Sequence, residues 1–295
     1  MIKRTLYFGN PAYLSTKLDQ LVINKPEKTE AITIPIEDIA IVLLDHPQIT
    51  ITHALIRKLQ DNKSSIISCN EQHMPQGLML PLEGNTTQSE TQRHQIQASE
   101  PLKKNLWQQT VKAKINNQKE LLQSLDIPNK RLEVLQRNVK SGDSTNIEGQ
   151  AAAYYWPNLF EDFKRDRYGD PPNHLLNYGY SILRSIIARA LLSSGLLPTQ
   201  GIFHKNKYNA YCLADDIMEP YRPFIDKLVY QIYNPREAQQ FISKSEKVVL
   251  LKIATENVRF EGITRPLMVG VSTTTKSLVE CFKGKRRKVK YPTMY

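Results

Sequence analysis

Cysteine is scarce in this chain. Cys69, Cys212 and Cys281 lie far apart and are odd in number. That excludes a disulfide framework and any familiar zinc spacing, and a reducing cytoplasm is the simplest setting. Apolar runs of membrane-spanning length are missing, so no membrane partner is expected. The opening Met1-Ile2-Lys3-Arg4 lacks the apolar stretch of a signal peptide. There is no P-loop, no dinucleotide-binding glycine fingerprint, and no serine or cysteine nucleophile motif. Nucleotide-driven work, hydride transfer and covalent acyl chemistry are thereby set aside. Internal repeats and low-complexity segments are absent too.

What is present is basic and globular. Apolar residues make up 40% of the 295 positions and charged residues 23%, enough for a real core in one large or two ordinary domains. The formal net charge is +11, and it is unevenly spread. Residues 1–75 hold eight basic and eight acidic side chains, so the whole excess falls after them. A surface for a polyanion therefore belongs to the second part. The plainer alternative is a basic soluble protein with no such ligand.

The first seventy residues read as β-rich. Arg4–Phe8 is a strand candidate before Gly9-Asn10-Pro11, and Tyr13–Ile23 reads as one strand with an irregularity. Ile32, Ile34 and Ile36 alternate as on an edge strand, and Ile39–Leu44 is an apolar run short enough for a buried strand. Thr50–Gln60 has helical spacing, and Ser64–Cys69 closes the series. His46 and His53 are isolated and carry no site. Between Glu71 and Ser89, Pro75, Gly77, Pro81, Gly84 and Asn85-Thr86-Thr87 have loop composition and predict a linker.

From Thr91 the period becomes helical. Trp107, Val111, Ile115, Leu122 and Leu125 mark one face of a helix. Its other side carries Lys103, Lys104, Lys112, Lys114 and Lys119. A second helix follows Pro128. Glu148 then opens a third, where Thr145-x-x-Glu148 fits a capping box; pattern alone favours the cap over any role in chemistry. Tyr154-Tyr155-Trp156 reads as packing. Pro171-Pro172-Asn173 starts a long helix from about His174 to Ser194, apolar over a wide arc and so central. Its Arg184 and Arg189 either snorkel or face an anion.

Gly195 stops that helix, and a short loop delivers His204, followed by Lys205 and Lys207. The next helix carries Asp215, Asp216 and Glu219. Glu219 shares a face with one or both aspartates, and like charges so placed need a cation or solvent among them. Residues 224–253 continue helically. The run from Lys283 to Lys290 has six basic residues in eight, which reads as a solvated tail or a contact to nucleic acid. Two carboxylates and an imidazole from separate segments suit Mg²⁺ or Mn²⁺, with open positions for phosphate oxygens. Spacing does not choose among the carboxylates, nor does it separate hydrolysis from strand transfer.

Four motifs stand in order: Glu148-Gly149-Gln150-Ala151-Ala152-Ala153-Tyr154-Tyr155-Trp156, Pro171 to Tyr180, Gly195 to His204, and Leu213-Ala214-Asp215-Asp216-Ile217-Met218-Glu219-Pro220-Tyr221-Arg222-Pro223. Together they resemble the family of CRISPR-associated protein one, the integrases of bacterial adaptive immunity, over nearly the whole chain. Arg4 to Pro11 looks like the form found in type II systems. The resemblance implies an α+β chain of two domains. These would be a β-rich dimerisation domain over 1–74, a linker over 75–90, a helical catalytic domain over 91–282, and a basic tail over 283–295.

The resemblance also implies the chemistry. Glu148, His204 and Glu219 would bind Mg²⁺ or Mn²⁺, with Asp216 supporting them, and Glu148 could still serve as a cap. The implied reaction is insertion of a short DNA duplex into a CRISPR array. The duplex's 3′-hydroxyls would attack phosphodiesters at the repeat edges. The partners implied are double-stranded DNA and a second copy of the chain. A dimer of CRISPR-associated protein two would bridge two such dimers, alongside other type II adaptation proteins. Lys205, Arg222, Lys285, Arg286 and Arg287 are expected on the DNA backbone. The competing readings are a standalone metal-dependent nuclease, which would cut without joining, and a DNA-shaping scaffold without chemistry.

Overall fold

The computed structural model describes residues 3–26, 28–237, 239 and 241–294. Met1, Ile2 and Tyr295 of the terminal runs named above lie outside them, as do positions 238 and 240 of the stretch read as helical. The chain divides into two compact units, 1–84 and 85–295.

Among the described residues the first unit has eight strands and one α-helix, besides a 3₁₀ turn at Ile36–Asp38. The strands and helix are β1 (Arg4–Phe8), β2 (Ala12–Lys17), β3 (Gln20–Asn24), β4 (Ile32–Pro35), β5 (Ile39–Leu44), β6 (Ile49–Ile51), α1 (His53–Asp61), β7 (Ser65–Cys69) and β8 (Pro75–Met79). One sheet has the order β1-β5-β7-β8 and the other β4-β3-β2-β6. Strand β5 is central because it must be: Ile39 to Leu43 are fully buried. Each of the Ile, Val and Leu side chains contributes about 1.5–3 kcal/mol when removed from water. Parallel β1 and β7 flank it. Helix α1 starts where the Thr52 side chain accepts a hydrogen bond from the Leu55 N–H.

Tyr13–Ile23 is not one irregular strand but the antiparallel hairpin β2–β3. Its turn is Leu18-Asp19, both at positive φ, 49° and 56°. That pair of angles suits a tight hairpin turn but lacks the usual Asn-Gly signal. Pro75–Met79, expected in the linker, pairs antiparallel with β7 as an edge strand, a place that tolerates proline. The contact boundary falls at Gly84–Asn85.

The second unit is mainly helical. It comprises α2 (Gln88–Ile96), α3 (Glu100–Ser124), α4 (Lys130–Asn138), α5 (Ile147–Leu159), α6 (Asn173–Ser193), α7 (Cys212–Met218), α8 (Arg222–Ile232) and α9 (Lys244–Leu251). The hairpin β9 (Asn257–Phe260) and β10 (Ile263–Pro266) and the helix α10 (Leu267–Phe282) complete it. Helix α6 is the axis, with most of its side chains buried. Helix α8 approaches it closely at Gly179, where a Cβ would lie 2.6 Å from Ile225 Cγ2. Gly195, at φ +81°, ends the helical stretch as expected. The β9–β10 hairpin lies beyond the 224–253 stretch read as helical, within the domain expected to be mostly helical.

The basic run near the C-terminus is not a solvated tail. It lies along α3. Val289 N–H donates to Gln109 Oε1 at 2.9 Å, the Tyr291 and Thr110 hydroxyls meet at 2.7 Å, and Asn117 Nδ2 donates to Pro292 O at 3.1 Å. Val289 and Met294 are buried. The apolar and aromatic residues interleaved with the charges anchor the segment, and counting charges alone hides them.

Candidate active site

Helix α3 supplies the centre of the site. Ser99 caps it by accepting from the Leu102 N–H. The buried stripe Leu106, Trp107, Val111 and Ile115 fixes its rotation. Lys114 sits at the border of that stripe and is turned inward. Its Nζ lies 2.6 Å from Glu148 Oε1 and 2.6 Å from Glu219 Oε2. One ammonium thus holds two carboxylates from elements far apart in the chain.

Glu148 is free to do this because it is not a capping carboxylate. The cap of α5 is Asn146, in the left-handed conformation at φ 51°, accepting from the Gly149 N–H. Asp143 accepts from the Ile147 and Glu148 N–H groups at 2.9 and 3.0 Å. With those donors satisfied, the Glu148 side chain is left to face α3.

Glu219 is carried by a 3₁₀ turn, Glu219–Tyr221, between α7 and α8. Pro220 and Pro223 set this break. Glu219 Oε1 pairs with Arg222 Nε at 2.9 Å. Oε2, although beside Lys114, receives no well-aligned hydrogen bond and is buried. Burial pushes the Glu219 carboxyl up, but Arg222 and Lys114 outweigh it and hold it below the ordinary carboxylate range. Burial also pulls the Lys114 amine down, and the Glu219 and Glu148 charges more than compensate, so it stays ionised.

His204 stands on a loop organised by a fully buried carboxylate. Asp216 Oδ2 accepts from the Ile202 and Phe203 N–H groups at 2.7 and 3.0 Å. Its Oδ1 accepts from the His204 N–H at 3.2 Å and meets His204 Nδ1 at 2.6 Å. Gly201 is required for this wrap: a Cβ there would run into the His204 carbonyl oxygen and lie 2.8 Å from Asp216 Oδ2. The Asp216 bond raises the His204 imidazole above its ordinary value against the opposing effect of burial, and the Glu219 and Glu148 charges add to the rise. With Nδ1 engaged, Nε2 is the nitrogen left for a ligand.

Of the residues expected to work together, the structure brings Glu148 and Glu219 to Lys114. Glu148 and Glu219 share its ammonium, and both charges act on His204. Asp216 supports His204 rather than facing the carboxylates. Asp215 is spoken for by Arg184, through bonds of 2.6 and 3.0 Å, and by Asn209. Of the residues expected on DNA, Lys205 is exposed beside Glu100, and Lys285 and Arg287 are exposed. Arg286 pairs with Glu280 at 2.6 Å. Arg222 turns inward, to Glu219 and over the Tyr180 ring at 4.6 Å.

Sequence reasoning placed Lys114 among five exposed-side lysines. Lys112 shares its place between Val111 and Ile115, so position beside the apolar stripe does not single Lys114 out. A second group passed unremarked. Asp226 is buried and accepts from the hydroxyls of Tyr155 at 2.8 Å and Tyr180 at 2.5 Å. Burial pushes its carboxyl up to about 6. Tyr180 in turn lies beneath Arg222, so this network underlies the Glu219 side of the site.

The donor set fits a hard divalent cation by type: two carboxylates, one imidazole with a fixed second nitrogen, and a buried carboxylate oxygen without an aligned donor. Among the described residues, no three His, Cys, Asp or Glu side chains are drawn close enough to hold a metal as they stand. Positive charge between Glu148 and Glu219 is supplied by Lys114.

Solved structures share this architecture. A casposase bound to integration product superposes with a TM-score of 0.80 at 19% identity, covering 98% of this chain and 92% of its own. A Cas6-RT-Cas1–Cas2 complex gives 0.73 at 21% identity, covering 97% of this chain and 35% of that longer one. The α+β fold, a β-rich unit followed by a helical unit, is thus shared with the casposase and the Cas1-containing chain. Residues 6–259 match the family model described as CRISPR associated protein Cas1. The CRISPR-associated endonuclease Cas1 of Neisseria meningitidis serogroup C (strain 8013) is 36% identical over 264 residues, covering 88% of this chain and 86% of its own. The chain belongs to the Cas1 family.

Proposed function

We propose that this Cas1-family chain is a divalent-metal-dependent DNA endonuclease and integrase that joins the 3′-hydroxyls of a short duplex to phosphodiesters at the edges of a CRISPR repeat. The observation that carries the reading is the Glu148–Lys114–Glu219 bridge beside a histidine locked by Asp216. Glu148, Glu219 and His204 would hold Mg²⁺ or Mn²⁺. When bound, such an ion polarises the phosphodiester and lowers the pKa of the attacking hydroxyl.

The chain's own residues do the positioning. Asp216 keeps the proton on His204 Nδ1 and so presents Nε2. Arg222 holds Glu219 from the far side and relieves its repulsion with Glu148. Lys114 keeps the two carboxylates together before any ion arrives. Lys205, Lys285 and Arg287, exposed on the helical unit, are suited to DNA phosphates. Transesterification conserves the phosphodiester bond count, so no nucleotide hydrolysis is required, in keeping with a chain that has no P-loop.

Family membership supports a reading of the assembly. Double-stranded DNA and CRISPR-associated protein two are the proposed partners, with two homodimers bridged by the latter and type II adaptation proteins alongside. The β-rich unit is the proposed dimer surface. Its edge strand β4 exposes Ile32, a sheet edge available for pairing. A cytoplasmic location is proposed too; no helix among the described residues is long and apolar enough to cross a membrane.

The test is strand transfer. A labelled duplex with free 3′-hydroxyls is incubated with Mg²⁺ or Mn²⁺ and a supercoiled plasmid carrying a CRISPR array. Label joined to plasmid by the wild type, and lost in Glu148→Ala and His204→Ala, is the expected result. Nicking without joining would replace this reading with a standalone nuclease. Retention of DNA without either product, equal in the variants, would leave only a scaffold.

A further inference from the structure

Phe203 precedes His204, and its ring is held in an unusual way. It lies parallel to the Trp107 indole, with centroids 4.2 Å apart and planes only 2° from parallel. Trp107 is fully buried, yet Phe203 remains 44% exposed. One face of the phenyl ring is therefore covered by the core and the other looks outward. Both rings meet the His204 imidazole edge-on, Phe203 at 5.4 Å and Trp107 at 5.7 Å.

A single exposed phenylalanine is ordinary on a protein surface. This one differs in being fixed twice. Its backbone N–H is tied to Asp216 at 3.0 Å, and its ring rests on a fully buried indole. It is a flat, pre-ordered apolar shelf touching the histidine of the site. Basic and aromatic groups continue along the same loop: Lys205 is exposed, and Lys207 Nζ sits 4.9 Å from the ring centre of Tyr208, which is 84% exposed. Aromatic shelves interleaved with lysines are how proteins grip single-stranded nucleic acid, the base stacking on the ring and the phosphate meeting the cation.

We infer that Phe203 is a base-stacking platform that takes the nucleobase adjoining the phosphodiester positioned at His204, unstacked from its duplex neighbour. The inference rests on the integrase reading above. Stacking on a phenyl face accepts any base, so the contact would fix the position of the reacting nucleotide without selecting its sequence. A duplex base has both faces covered by neighbours. The ring thus favours DNA that is frayed or branched at the joint over continuous duplex.

The test uses branched DNA, the joined product, carrying 2-aminopurine at the nucleotide adjoining the junction. Its fluorescence falls when the base stacks. Full-length wild type is compared with Phe203→Leu, which keeps apolar bulk on Trp107 but loses the flat face, and with Phe203→Trp, which restores it. The expected result is quenching by wild type and Phe203→Trp, and its loss in Phe203→Leu. Affinity for the branched DNA should fall about tenfold in Phe203→Leu, with affinity for continuous duplex unchanged. Equal quenching by wild type and Phe203→Leu, with melting temperatures showing both folded, overturns the inference and leaves the ring as packing for Trp107. If wild type joins label to plasmid but quenches nothing, the platform alone fails. If it neither joins label nor binds branched DNA, the integrase reading fails with it.

Discussion

Lys114 Nζ lies 2.6 Å from Glu219 Oε2, and the side chains are 13% and 4% exposed. A lysine so enclosed stays charged only because the Glu219 and Glu148 charges outweigh its desolvation. The same ammonium keeps those two carboxylates side by side. Any divalent cation that takes both must displace it.

Lys114→Met removes the counter-charge and leaves the carboxylates facing each other. Breaking a buried pair costs about 3–5 kcal/mol. In a unit of this size each kcal/mol lowers the melting temperature by about 2–4 °C. Differential scanning calorimetry without divalent ions should show that loss. Adding Mn²⁺ should then raise the melting temperature of the variant more than that of the wild type. An unchanged melting temperature in Lys114→Met would mean the bridge does not form in solution.

Asp216→Asn weakens the set of bonds that shapes residues 201–204. Bonds to a charged acceptor contribute about 1.5–3 kcal/mol each, and an amide oxygen replaces the carboxylate poorly at several at once. Strand transfer should fall by at least tenfold, and the 201–208 loop should become a site of limited proteolysis. Loss of activity with an unaltered proteolysis pattern would show that Asp216 does more than hold the loop.

Gly201→Ala places a methyl group against the His204 carbonyl and Asp216 Oδ2. Overpacking of this kind costs about 1–3 kcal/mol. Strand transfer should be lost more completely than that figure requires, because the residue displaced is His204. Kinetics at saturating DNA should show the loss in turnover rather than in affinity. A defect confined to DNA affinity would argue against this placement of the loop.

Asp226 gives a pH dependence with a definite sign. Its carboxyl is raised from 3.8 to about 6 by burial, so the folded state binds the proton more tightly than the unfolded one. The stabilisation is complete below the unfolded value and is lost as pH rises through about 6. A shift of this size corresponds to about 3 kcal/mol at most. Urea titrations at pH 4 and pH 7 should show the stability of wild type minus that of Asp226→Asn to be larger at pH 4. A difference that grows towards pH 7 would contradict the burial argument.

Much of the β-rich unit and of the long helices was legible in the sequence, because period and apolar run length speak for themselves in β5 and α6. The hairpin β2–β3 was hidden because Leu18 and Asp19 reach positive φ without glycine or asparagine. The edge strand β8 was hidden behind Pro75 and Gly77. At the site, Glu148, His204, Asp216 and Glu219 could be named from their types and from family motifs. The capping-box pattern at Thr145 misled, since Asn146 and Asp143 satisfy the helix start and leave Glu148 unused there. Lys114 and Asp226 become visible only when α3, α5 and α8 are packed together. Their partners are distant in the chain, and a lysine on a lysine-rich helix or an aspartate in an apolar helix carries no local mark of its role. The C-terminal run shows the converse: its charges are conspicuous in sequence, while its fold depends on Val289, Tyr291 and Pro292 between and beyond them.

The most direct test of the account is to count bound Mn²⁺ by electron paramagnetic resonance of the free ion, with branched DNA present. Wild type should remove one more Mn²⁺ per chain from solution than each of Glu148→Ala, Glu219→Ala and His204→Ala. Asp216→Asn should bind that ion more weakly. If all three alanine variants take up as much Mn²⁺ as wild type, Glu148, Glu219 and His204 are not the metal ligands, and the site around Lys114 is a structural ion pair.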